Sequence, residues 1–155
     1  MSMIRSVLRF TLAALAASLV GGCGGPYVLS GRAVEGGFAM AEFVEAGDEQ
    51  LSGPGVAQAS IKVYRDPTNP NRALIARGRS DSSGDFSMEL DAFGAGWMEE
   101  HWLIEVVKPG YETIEQFVTL PPNERGRRLL VLMRPGTSIP PRDPNELWDE
   151  YERYR

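Results

Sequence analysis

The chain has 155 residues, 43% of them apolar, and its 16 basic against 21 acidic residues give a formal net charge of −5 at pH 7. A partner built on phosphates would require the opposite sign and a basic stripe, so nucleic acid is excluded. One cysteine excludes an internal disulfide, and stability has to come from packing.

The amino-terminal stretch reads as an export signal. Arg5 and Arg9 supply positive charge, residues 10–20 an apolar run, and Val20-Gly21-Gly22 the small residues that precede a signal-peptidase cut. The run is shorter than the ~20 apolar residues of a membrane span, and it ends in a Gly-Gly-Cys-Gly-Gly-Pro cluster. It resembles the signal and lipobox of bacterial lipoproteins, which implies a signal peptide over 1–22, cleavage before Cys23 and lipid, palmitate included, on Cys23. The expected location is the cell envelope, and the outer membrane in a Gram-negative host, since Gly24 rather than Asp follows the cysteine. Removing Arg5 and Arg9 leaves 14 basic against 21 acidic residues, a net charge near −7. Residues 23–27 form a lipidated tether that, at about 3.3 Å per extended residue, holds the domain close to the membrane.

Residues 28–134 alternate apolar and polar positions between Gly, Pro, Asn and Asp clusters, the pattern of an all-β antiparallel sandwich. The first strand, 27–34, puts Leu29, Gly31 and Ala33 on one face. After an insertion, 58–65 turns Ala59, Ile61 and Val63 inward and Ser60, Lys62 and Tyr64 outward. Strands 72–80 and 85–90 are expected to form a hairpin across Asp81-Ser82-Ser83-Gly84, with Phe86, Met88 and Leu90 inward. Strand 101–108 places Trp102, Ile104 and Val106 on one face, Pro109-Gly110 turns the chain, and 113–120 and 128–134 complete seven strands.

These pieces resemble one family in their order. Leu29-Ser30-Gly31-Arg32-Ala33-Val34, Gly55-Val56-Ala57-Gln58-Ala59-Ser60-Ile61-Lys62-Val63, Ser80-Asp81-Ser82-Ser83-Gly84-Asp85-Phe86, Val107-Lys108-Pro109-Gly110-Tyr111-Glu112 and Leu130-Val131-Leu132 together resemble the carboxypeptidase regulatory-like domain, a seven-stranded transthyretin-like sandwich. The chain departs from that family in two enlarged connections, 35–54 and 91–100. The resemblance implies a non-catalytic accessory module. Of the enzymes on similar folds, the hydroxyisourate hydrolases need several histidines with an arginine and the intradiol dioxygenases two His and two Tyr for iron; this chain has His101 alone, and a lone imidazole without partners makes neither a triad nor a metal site. Asp81, Asp85 and Asp91 lack the spacing of a calcium loop, and Asp81 and Ser82 are expected to hold their own turn. No catalytic, cofactor or metal site is expected.

Residues 135–155 read as a Pro-rich spacer and a short helix, with Asp143 as N-cap, Pro144 in the first turn and Glu146 in capping-box position. Leu147, Trp148, Tyr151 and Tyr154 make one amphipathic stripe, which either packs on the sandwich or docks in a partner's groove. The sequence thus describes a non-catalytic, membrane-anchored envelope lipoprotein, an accessory binding or assembly module with an envelope protein as partner. The alternative is a carbohydrate- or peptidoglycan-binding module using Trp97, Tyr64 and Tyr111. Alternating strand directions predict that the loops at 66–71, 91–100 and 121–127 share the end where the chain arrives from Cys23. That end would face lipid with Trp97, Met98, Arg125, Arg127 and Arg128. The acidic insertion with Glu42, Glu45, Asp48 and Glu49 is expected at the other end.

Overall fold

Period-two alternation of apolar residues makes strands that each bury one face, and two sheets of such strands close on each other. The computed structural model describes residues 26–69, 72–122 and 126–138. Cys23 and its leader, Arg125, and the stripe of Leu147, Trp148, Tyr151 and Tyr154 lie outside the described residues. The strands are β1 (Tyr27–Glu35), β2 (Met40–Glu45), β3 (Ser60–Arg65), β4 (Ala73–Arg79), β5 (Asp85–Leu90), β6 (His101–Val107), β7 (Ile114–Thr119) and β8 (Arg127–Met133), with one 3-10 turn at Glu49–Ser52. One sheet runs β2-β8-β1-β5 and the other β4-β3-β6-β7. β1 and β8 pair in parallel, and the other ladders among the described residues are antiparallel. Leu29, Ala33, Ile61, Val63, Leu90, Trp102, Ile104, Leu129 and Val131 are fully enclosed between the sheets, the faces expected from their alternation.

The all-β sandwich is as expected, but the described residues hold eight strands rather than seven. The additional strand is β2, inside the first enlarged connection. Its Ala41 and Phe43 face the main core while Met40 and Val44 join a second cluster on the opposite face, so its pattern is not a clean alternation. That second cluster is made by Val34, Leu130 and Leu132 on the outer face of the β2-β8-β1-β5 sheet, with Leu51 of the 3-10 turn laid over them. Asp48 caps the turn, its side chain accepting a hydrogen bond from the Gln50 amide at 2.9 Å. The insertion therefore covers a sheet face that would otherwise be wet and apolar.

The hairpin expected from β4 to β5 is also corrected. β4 pairs with β3 and β5 with β1, so the 81–84 turn carries the chain from one sheet to the other. The turn is held to both sides: the Ser80 amide donates to the Ala59 carbonyl, and the Ala33 amide donates to the Gly84 carbonyl at 2.8 Å. Asp81 Oδ1 accepts from the amides of Ser83 and Asp85, as expected of a turn-holding aspartate. Gly84 has φ +87°, and a Cβ there would lie 2.3 Å from the Ala33 carbonyl oxygen.

Register fixes the two ends of the sandwich. Tyr27 pairs with Leu90, Glu45 with Arg127 and Trp102 with Arg65, which collects the start of β1, the ends of β2, β3 and β5, and the starts of β6 and β8 at one end, here the base. The described residues of the 66–71, 91–100 and 121–127 loops, namely 66–69, 91–100, 121, 122, 126 and 127, lie there, as predicted. At the opposite end, the crown, Tyr111 bridges to Pro135 and the Gly136 amide donates to the Gly110 carbonyl. Chain arrival and chain exit are separated by the length of β1, about 27 Å.

Candidate functional site

The 91–100 connection joins the edge strand β5 to the interior strand β6 and folds into a compact loop at the base. The Gly94 carbonyl accepts from the amides of Trp97 and Met98, and the Met98 carbonyl from that of Glu100. Gly94 and Gly96 both have positive φ, near +91° and +80°. Gly96 lies flat on Tyr27, where a Cβ would come within 2.4 Å of the ring. Packing there buries Tyr27 and pushes its phenol pKa up to about 12. With Gly96 turned toward the domain and Gly94 covered by Met98 of the same loop, the aromatic residues of the loop point out. Phe93 is 78% exposed and Trp97 68%, and their rings meet edge to face with centroids 5.2 Å apart. Met98 is exposed beside them. Pro26, the first described residue and part of the tether expected over 23–27, lines a groove of about 760 Å³ together with Tyr27, Phe93 and Trp97. Sequence reasoning found Trp97 and Met98 but missed Phe93, although Phe-Gly-Ala-Gly-Trp is a signal for a tight loop with both rings free.

The arginines assigned to the same surface are placed differently. Arg127 reaches Glu45 at 3.2 Å, and Arg128 lies along the outer face of its sheet, 2.5 Å from Asp85 Oδ1 and 3.1 Å from the Gly31 carbonyl oxygen. Arg65, also at the base, pairs with Glu100 at 2.6 Å. The acidic insertion is not at the crown as expected: Glu42 and Glu45 sit on β2, Glu45 reaches the base, and Asp48 is occupied as a cap. The descending strand β2, unseen in the sequence, is the reason. The base is thus apolar at the 91–100 loop and charge-paired around it.

The other candidates are scattered. Tyr64 is on the outer face of β3, Trp97 at the base, and Tyr111 at the crown with its hydroxyl donating to Glu35 Oε2 at 3.0 Å. These three do not form one stacking platform. Asp81 and Asp85 belong to the crown turn and Asp91 to the base. No group of three or more His, Cys, Asp or Glu among the described residues is arranged to hold a metal ion. His101 is exposed at the first position of β6. Among the described residues no helix is long and apolar enough to cross a membrane. A feature the sequence did not reveal is Glu105, buried on the outer face of β6 beneath Lys62, Tyr64 and Arg72.

No family model and no curated protein matches the chain. Among solved structures it is similar to hydroxyquinol 1,2-dioxygenase from Pseudomonas putida DLL-E4, with 14% identity over 75% of this chain and 58% of that one and a TM-score of 0.41. It is also similar to a 9R-lipoxygenase from Cyanothece PCC8801, with 12% identity, coverage of 88% and 21%, and a TM-score of 0.36. A third is 3-chlorocatechol 1,2-dioxygenase from Rhodococcus opacus 1CP, with 15% identity, coverage of 75% and 61%, and a TM-score of 0.33. The chain spans less than two thirds of each of these proteins, and so remote a likeness assigns neither activity nor family.

Proposed function

We propose that the chain is a lipoprotein of the cell envelope, anchored through lipid on Cys23, whose β-sandwich is a non-catalytic accessory module for binding or assembly. The observation that carries this reading is the opposition of the two chain ends. Pro26 lies at the base, three residues after Cys23, whereas Pro135 leaves from the crown. A chain that enters at one end, where the anchor is expected, and leaves from the other at Pro135 suits a protein that presents a distal surface to an envelope partner; the stripe of Leu147, Trp148, Tyr151 and Tyr154, outside the described residues, is read from the sequence as a short partner-binding helix. The Asp81 to Phe86 turn and the Pro109-Gly110-Tyr111-Glu112 turn support the carboxypeptidase regulatory-like, transthyretin-like reading of the domain. One histidine in the whole chain supports a non-catalytic role.

Expression of the full chain with Cys23→Ser tests the anchor. The variant should fold, take up no labelled palmitate and appear in the soluble fraction. Retention on membranes after a salt wash would overturn the lipoprotein reading.

A further inference from the structure

We propose that the 91–100 loop is a second, non-covalent membrane contact: Phe93, Trp97 and Met98 enter the lipid interface and fix the sandwich base-down on the bilayer. The inference rests on lipid at Cys23 and adds a surface and an orientation to that anchor. Only Gly24 and Gly25 separate Cys23 from Pro26, a reach of about 10 Å at full extension, so the groove that Pro26 shares with Phe93 and Trp97 cannot leave the neighbourhood of the headgroups. Within that reach the loop offers two exposed aromatic rings and a methionine, the side chains that settle at a lipid–water boundary.

The loop is built to hold those rings outward. Gly96 against Tyr27 fastens its back to β1, and the Gly94 carbonyl gathers the amides of Trp97 and Met98. The rings brace each other edge to face, so little side-chain freedom remains to be lost on insertion. Among the described residues, charge does not drive the contact. Arg65, Arg127 and Arg128 are paired with Glu100, Glu45 and Asp85, and Asp91 and Glu99 flank the aromatic residues. A zwitterionic surface is therefore sufficient, and attraction to anionic headgroups is a minor contribution.

The test uses the lipidated full chain reconstituted into phosphatidylcholine vesicles, with the Trp97 signal taken as the difference between the chain and its Trp97→Phe variant. Both should float with the vesicles. Trp97 emission should be quenched by brominated acyl chains and lose most of the acrylamide quenching seen for the Cys23→Ser chain in buffer. Phe93→Ser, at a largely exposed position, should keep the fold and weaken the quenching by brominated lipid. If the chain floats but Trp97 stays as open to acrylamide as in buffer, the anchor stands and this inference falls. If the chain does not float at all, the lipoprotein reading falls and takes the inference with it. Protection that requires phosphatidylglycerol and disappears in high salt would overturn the aromatic contact in favour of headgroup binding by arginines.

Discussion

Glu105 is 1% exposed although it stands on the solvent side of its sheet, and the groups that cover it can be removed one at a time. Lys62 Nζ donates to Oε1 at 2.7 Å, the Tyr64 hydroxyl reaches Oε2 at 3.5 Å, and the Arg72 guanidinium stands 4.0 Å from Oε2, stacked 4.7 Å over the Tyr64 ring. Stripping a buried carboxylate of its partner costs about 3–5 kcal/mol when nothing else compensates. Here the Lys62 side chain is 38% exposed, and Tyr64 and Arg72 remain. Lys62→Met should therefore destabilise by only about 1–3 kcal/mol. Adding Glu105→Leu removes the stranded charge beside Leu103, and Arg72 keeps Glu115 at 3.9 Å. The double variant should return to within about 1 kcal/mol of the parent. Urea unfolding of the full chain carrying Cys23→Ser provides the measurement; losses that simply add would refute the argument, because a shared ion pair must couple its two members. The hydrogen bond to Glu105 raises the Lys62 pKa above its ordinary value. Its contribution is thus fully present below the unfolded-state pKa and is lost as pH rises through the folded one, an alkaline loss that Lys62→Met should abolish.

Phe86→Ala should cost about 3–5 kcal/mol, because the ring is 6% exposed and fills the space in front of Gly31; a thermal melt shifted by only a degree or two would place the ring outside the core. Gly84→Ala should cost more than about 2 kcal/mol, since left-handed backbone and the Ala33 carbonyl both oppose a Cβ, and an unchanged midpoint in urea would contradict that geometry. Asp85→Asn, which breaks the pair with Arg128, should lose roughly 0.5–1 kcal/mol at low ionic strength and less in salt; a loss insensitive to salt would show that the pair is not electrostatic. Tyr27, held near 12 against 10.0 when free, should withdraw roughly 2–3 kcal/mol between about pH 10 and 12, and Tyr27→Phe should flatten that stretch of the stability profile.

What the residues disclosed follows how local each signal is. Seven strands could be read because apolar residues recur at every second position or in a short unbroken run bounded by turn residues: Ala59, Ile61 and Val63 alternate with Ser60, Lys62 and Tyr64, whereas β6 and β8 are buried on both faces. β2 escaped because it is apolar on both sides, and the second side acquires its meaning only when Leu51 arrives to cover Leu130 and Leu132. The turn at 81–84 was legible as a turn, but its partner sheets were not, since Ala33 and Ala59 choose them from far along the chain. At the base, Trp97 and Met98 stood out as residues, whereas the exposure of Phe93 depends on which way Gly94 and Gly96 turn. The fates of Arg127 and Arg128 depended on Glu45 and Asp85, distant in sequence and adjacent in register.

The position of β8 sets the order in which the domain can form. β1 and β2 do not pair with each other; each pairs with β8, which lies between them and is the last of the described strands in chain order. Closing β1 on β8 spans about a hundred residues, an entropic toll that rises slowly with loop length but delays any fold made of such distant contacts. Until residues 127–133 are present, the centre of that sheet is empty and Leu51 has no surface to cover. The β4-β3-β6-β7 sheet has no such dependence, so its strands can pair before the β2-β8-β1-β5 sheet closes on them.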